Sequence, residues 1–178
     1  MTLRLISVPH TGTVFTRYTL ARMGWWDRTQ QEGTPEGRMY HSHHTDEEGY
    51  PVPFTADSRI VVPLRDPIMA EISRLNRGSG QPIEHWARIA DWRNLENVHF
   101  FRVPPTQADV DALAAFVGVE GVKVDTTPHN TRPDRLGLKV PYAAGEVPEE
   151  LERQFKWLQS RTDVQALFRS QGYDLPWM

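Results

Sequence analysis

The sequence predicts an α/β fold in which a central parallel sheet is covered on both faces by helices. Three observations lead there. Apolar runs of strand length recur at Leu3 to Val8, Arg59 to Leu64 and Asn97 to Val103. Stretches with helical spacing of apolar residues follow them, and strands alternating with helices imply parallel pairing, because each crossover helix must return the chain to the same end of the sheet. The length of 178 residues suits one domain with a sizeable core, and the chain carries no internal repeat.

The first strand, Leu3 to Val8, is stopped by Pro9. A helix is expected from Thr13, with Val14, Tyr18 and Ala21 as its stripe and Gly24 at its end. Residues 25 to 58 are rich in Gly, Pro, charge and His, and read as a long loop insertion in which Arg38 to His43 alone looks extended. The run Arg59 to Leu64 is the second strand, and Asp66-Pro67 opens a helix whose stripe is Ile68, Ile72 and Leu75. After Gly78-Ser79-Gly80 a further helix spans Ile83 to Trp92, with Ile83, Trp86, Ala87 and Ala90 on one side. Asn97 to Val103 is the third strand. Thr106 and Asp109 resemble a capping box ahead of a helix lined by Val110, Leu113, Ala114 and Val117 and ended by Gly118. Asp125 to Ala144 reads as loop. Beyond Pro148, Leu151, Phe155 and Leu158 mark a helix with Glu149 and Glu150 in its first turn, and Val164, Leu167 and Phe168 a last short one closed at Gly172.

Composition narrows the function classes. A formal charge of −3 provides no basic footprint for nucleic acid and no polybasic membrane patch. The absence of cysteine excludes disulfides, thiolate metal sites and a cysteine nucleophile. No run approaches the roughly 20 apolar residues of a membrane span, and the N-terminal apolar stretch is too short for a signal peptide. The expectation is a soluble, cytoplasmic protein.

The segment Pro9-His10-Thr11-Gly12-Thr13-Val14-Phe15 lies between the first strand and its helix. In an open parallel sheet ligands bind at the carboxyl ends of strands, where a helix start offers unpaired N–H groups and the positive end of its dipole. Gly12 lets the backbone approach an anion, and the hydroxyls of Thr11 and Thr13 add donors. The same pattern also fits a plain strand-to-helix turn. It is not a Walker loop, since the Gly-x-x-x-x-Gly-Lys-[Ser/Thr] pattern with its Lys and magnesium-holding hydroxyl is missing, which disfavours ordinary ATPase or kinase chemistry.

This loop resembles the phosphosulfate-binding loop of the 3'-phosphoadenosine-5'-phosphosulfate (PAPS) dependent sulfotransferases, usually Pro-Lys-[Ser/Thr]-Gly-[Thr/Ser]-[Thr/Ser]-[Trp/Phe]. A second motif agrees. In that family a strand runs into Arg-[Asn/Asp]-Pro with a Ser eight residues after the Arg, and here Ile60-Val61-Val62-Pro63-Leu64-Arg65-Asp66-Pro67 leads to Ser73 at that interval. Arg65 leaves the end of a strand, and Ser73 sits about 100° round the helix from Ile72. More loosely, the stretch from Trp86 to Gly118, and the closing Leu167-Phe168-Arg169-Ser170-Gln171-Gly172-Tyr173, are similar to family segments.

The resemblance implies a three-layer α/β/α architecture of the P-loop nucleoside triphosphate hydrolase type. It also implies transfer of a sulfuryl group from PAPS to a hydroxyl or amine acceptor, a sugar or small metabolite, without a metal. It would place the phosphosulfate on the amides of Thr11 to Val14 and the Thr13 hydroxyl, Phe15 against the adenine, and Arg65 and Ser73 on the 3'-phosphate, with Arg132 and Arg135 covering it. The family's base is a His roughly twenty residues before the Arg. His43 lies 22 residues before Arg65 and is the first choice, His41 the second. The histidines are otherwise open to reading as a solvated or adventitiously metal-binding loop, or as a zinc site with Asp46 and Glu47. His10 stands where the family has its loop Lys, and Val14 where it has a hydroxyl. These departures keep a second reading alive, a non-catalytic nucleotide- or anion-binding descendant of the fold, and a third, a divergent P-loop kinase or hydrolase. Trp25 and Trp26 are open between an acceptor pocket, the core and a subunit contact.

Overall fold

The computed structural model describes residues 2–8, 11–27, 38–42, 57–77, 85–124 and 149–175. In chain order these form β1 (Thr2–Ile6), α1 (Thr13–Arg22), β2 (Trp26–Asp27), β3 (Arg38–Ser42), β4 (Ser58–Leu64), α2 (Pro67–Arg77), α3 (His85–Ala90), a 3-10 turn (Asp91–Asn94), β5 (Val98–Arg102), α4 (Gln107–Val117), α5 (Glu149–Ser160) and α6 (Thr162–Ser170). The expected α/β class is thus observed. All five strands pair in parallel in the order β2-β3-β1-β4-β5.

Parallel strands must be buried on both faces, and the strand sequences divide accordingly. Leu3, Leu5, Met39, Val61, Phe101 and Val103 face α1 and α4, meeting Leu20, Val110, Leu113 and Val117. Ile6, Ile60, Val62, Leu64 and Phe100 face the other way, onto Ile68 and Ile72 of α2, Trp86 and Ile89 of α3, Leu151 and Leu158 of α5, and Val164, Leu167 and Phe168 of α6. Helices therefore cover both faces, which is the three-layer arrangement.

Several local expectations hold for visible physical reasons. Thr106 accepts from the Asp109 N–H at 3.3 Å while the Asp109 carboxylate accepts from the Thr106 N–H at 2.6 Å, so Asp completes the capping box that Glu or Gln usually makes. Asp66 Oδ1 accepts from the N–H groups of Ile68 at 2.9 Å and Met69 at 3.0 Å, capping α2 just ahead of Pro67.

Other expectations need correction. The stripe assigned to α1 is wrong: Val14 is 73% exposed and Tyr18 is exposed too, while Thr16, Thr19 and Leu20 are buried. The two threonines hide their polarity by donating back along the helix, Thr16 Oγ1 to the Gly12 carbonyl at 3.1 Å and Thr19 Oγ1 to the Phe15 carbonyl at 3.0 Å. Within the stretch 25 to 58 the extension expected over Arg38 to His43 is β3, while Trp26–Asp27 is a further short strand, β2, paired with it at one edge of the sheet. The helix expected over Ile83 to Trp92 is α3 followed by the 3-10 turn, and Ile83 lies outside the described residues.

Pro63 shapes the centre of the sheet. The β1–β4 ladder ends at Leu5 opposite Val61, whereas the β4–β5 ladder continues to Leu64 opposite Arg102. The Leu64 carbonyl accepts from Val103 N–H at 2.6 Å on the β5 side, so the Pro63 backbone is turned to the β1 side, where it has no N–H to give. Pairing with β1 stops there, and β4 continues with β5 alone.

Candidate functional site

From β1 the chain crosses through α1 toward β3 and β2, and from β4 it crosses through α2 and α3 on the opposite face to β5. The winding reverses between β1 and β4. That reversal is where an open parallel sheet leaves a crevice outside its carboxyl ends. The loop after β1 and the Arg65-Asp66-Pro67 turn after β4 both stand at this point, on neighbouring strands.

On the β1 side, Ser7, Val8 and Thr11 are buried. Thr11 Oγ1 donates to the Val8 carbonyl at 2.7 Å, so this hydroxyl braces the loop and its hydrogen is committed, contrary to its expected part as a donor to an anion. Gly12 has φ of 98° and is the residue before α1. A Cβ there would lie 2.5 Å from Cγ1 of Val103, so glycine is needed both for the left-handed backbone and for close packing on β5's end. Thr16 N–H donates to the Gly12 carbonyl at 2.9 Å, the first helical bond, which leaves the amides of Thr13, Val14 and Phe15 without partners inside the helix. Gly12, at the N-cap of α1, has no side chain to cap the helix, and no acidic residue stands in its first turn. Thr13 Oγ1 is buried and, among the described residues, has no hydrogen-bond partner. Val14 is exposed beside it, and Phe15 is half-buried against the α1-side core.

On the β4 side, Arg65 is half-buried, and Ser73 is buried on α2 at 9% exposure. The amides at the start of α2 serve the Asp66 carboxylate, whereas Gly12 brings no side chain to the start of α1. Burial raises the Asp66 carboxyl above the ordinary range, although the two amides and Arg65 act in the opposite sense.

At the end of β3, His41 Nε2 lies 3.2 Å from Ser7 Oγ. His41 is opposite Leu5 in the register and half-buried, so it stands at the carboxyl edge next to β1. His10 and His43, together with His44, Asp46, Glu47, Arg132 and Arg135, lie outside the described residues. Among the described residues no group of three His, Cys, Asp or Glu side chains is placed to hold a metal. Trp25 is core on the α1 side.

One contributor was not assigned a task from sequence. Tyr173 OH donates to the Leu64 carbonyl at 2.6 Å and accepts from the Val103 N–H at 3.4 Å, joining the ends of β4 and β5 directly before Arg65 and at Val103, the residue against which Gly12 packs. Its ring meets Phe168 edge-on at 5.6 Å, and the Arg102 guanidinium lies 5.1 Å over its face. Burial pushes its hydroxyl up to about 12. The Gly172-Tyr173 ending was the available signal, and only the fold shows what it reaches.

Away from this edge, Arg59 donates to the Phe116 carbonyl and lies over the Phe116 ring, on which His99 stacks at 5.2 Å. Burial lowers His99 to about 4, so the ring is neutral, and the group ties α4 to the sheet. No helix among the described residues is long and apolar enough to cross a membrane. Comparison of the chain with family models, with curated proteins and with solved structures returned no match.

Proposed function

We propose that the chain is a small PAPS-dependent sulfotransferase of the P-loop nucleoside triphosphate hydrolase type, transferring a sulfuryl group to a hydroxyl or amine acceptor. The observation that carries this reading is the meeting of its two motifs at one place. The loop after β1 and the Arg65 turn after β4 are far apart in sequence yet end adjacent strands at the reversal of winding. The start of α1 at Gly12 and the Thr13 hydroxyl, which has no partner among the described residues, suit the phosphosulfate end of the donor. Arg65 suits the 3'-phosphate, where a guanidinium makes a forked, charge-assisted contact and Ser73 a neutral one.

In the reaction the acceptor oxygen or nitrogen forms a bond to sulfur as the bond from sulfur to the 5'-phosphate oxygen breaks, and the electron pair stays on that phosphate. The transferred group carries less negative charge than a phosphoryl group, so positioned donors suffice. A histidine takes the acceptor's proton. His41 stands at this edge; His43 and His10 remain in the reading through the sequence motif. The acceptor is a small molecule or carbohydrate, in the cytoplasm.

Thermal unfolding with and without nucleotide tests the reading. At 100 times its dissociation constant, PAPS or adenosine 3',5'-bisphosphate adds roughly 2.7 kcal/mol. Absence of a shift with both ligands overturns it.

A further inference from the structure

We propose that His99 makes the docking of α4 on the sheet acid-sensitive, so that a proton on its ring frees the helix and with it the wall behind the Gly12 loop. His99 has the parity of Phe101 in β5 and so points to the α4 side, where its half-buried ring stacks on Phe116 at 5.2 Å and 27°. The Arg59 guanidinium of β4 lies 5.5 Å from the centroid of that same ring and donates to the Phe116 carbonyl, in the last turn of α4. Phe116 is thus shared between a fixed cation and a neutral imidazole. α4 also places Val110, Leu113 and Val117 in one buried cluster with Val103, the residue on which Gly12 packs.

Whichever nitrogen takes the proton, the positive charge spreads over the ring, and the surroundings decide its cost. Burial is the larger influence and holds the ring down to about 4. Asp109 of α4 acts in the opposite sense, but its carboxylate already accepts from Thr106 N–H at 2.6 Å and Thr106 Oγ1 at 2.7 Å, where it closes the capping box. A cation is attracted to an aromatic face, yet the Phe116 ring already carries Arg59. The charged residues of the 3-10 turn ahead of β5 serve the opposite face: Arg93 donates to the Ala90 and Asp163 carbonyls, and Asp91 acts on Arg161. The folded value lies below the ordinary 6.5, so this contribution to stability is whole above pH 6.5, falls between pH 6.5 and 4, and is gone below 4. The effect is independent of what the crevice binds.

Denaturant unfolding at pH 7 and pH 5 compares the full-length parent with His99→Phe, which keeps a ring to stack and cannot titrate. The folding equilibrium constant is expected to fall about 20-fold more in the parent than in the variant between those two pH values. An equal fall in both overturns the proposal. The parent alone supplies a second measurement, whatever the variant does. Its His99 ring, followed by 1H–13C spectra of the folded chain, is expected to keep neutral shifts down to pH 5, and a midpoint above pH 5 overturns the proposal. Release of the helix is read by hydrogen exchange at pH 5, where the α4 amides from Leu113 to Val117 are expected to be less protected than those of β1. Equal protection overturns the freeing of α4, because the acid effect is then global.

Discussion

Two threonines separated by one residue show how much depends on single atoms. Thr11 and Thr13 are the same residue type in the same loop, and both hydroxyls read from sequence as donors to an anion. Thr11 spends its hydrogen on Val8, whereas Thr13 Oγ1 is buried without a partner among the described residues. A buried polar atom with no hydrogen bond costs about 1–3 kcal/mol, and replacing it by an apolar group of the same shape recovers part of that. Thr13→Val is therefore expected to raise the stability of the ligand-free protein by about 1 kcal/mol in urea unfolding. The same substitution is expected to weaken binding of adenosine 5'-phosphosulfate and PAPS alike, read by calorimetry. A variant that is both less stable and unaltered in binding would show that Thr13 is an ordinary part of the helix start. Loop composition exposes the candidates; which of them has its hydrogen committed is decided by the carbonyl the fold brings within reach.

At the scale of elements, strands and helices were legible wherever burial imposed a simple pattern. β4 and β5 carry apolar residues on both faces, Ile60 to Leu64 and Phe100 with Phe101, because both faces are covered, and α4 announces itself by Thr106 with Asp109 and by Gly118, whose φ is 81°. The pattern of α1 misled because Thr16 and Thr19 look polar in sequence and become apolar only after their hydroxyls bond to the preceding turn. β2 has two residues, too few for any period, whereas β3 was legible as extended although it carries Arg, His and Ser near the sheet's edge. The link between elements made by Tyr173 was invisible because its partners, Leu64 and Val103, are separated from it by 109 and 70 residues. Its hydroxyl has a proton affinity that links this contact to pH. With its value raised to about 12, the folded state holds the proton between pH 10 and 12 while the unfolded chain releases it, so stability is intact below about pH 10 and falls as pH rises toward 12. The expected loss over that window is on the order of 2–3 kcal/mol. In Tyr173→Phe that slope is absent, and at pH 7 the variant is less stable by about 1 kcal/mol, because the Leu64 carbonyl keeps the Val103 N–H but loses the second of its two donors. Denaturant unfolding of both proteins at pH 7, 10 and 11.5 measures the difference, and equal slopes would contradict the coupling.

For the molecule as a whole, alternation along the chain implied a parallel sheet but could not order its strands, since the order depends on which way each crossover turns. The observed order, with α1 on one face and α2 on the other, puts the reversal between β1 and β4. Pro63 ends the β1–β4 ladder there, a consequence of one missing N–H that the apolar run around it conceals. A site built across two strands should divide its work between them. Groups from the β1 loop and α1 would hold the 5' end of a nucleotide, and Arg65 the 3' end. Arg65→Ala is then expected to weaken adenosine 3',5'-bisphosphate by the equivalent of about 1.5–3 kcal/mol, the range for a hydrogen bond to a charged group, and to leave adenosine 5'-phosphosulfate unchanged. Thr13→Val weakens both ligands by similar factors. Combining the substitutions should add their effects on the bisphosphate, because the two residues would act on phosphates at opposite ends of one ligand and share no partner. Calorimetric titration of the four proteins with the two ligands measures this. Equal losses for both ligands in Arg65→Ala would mean that Arg65 serves the 5' end, or the general potential of the crevice, and that the division between β1 and β4 is wrong.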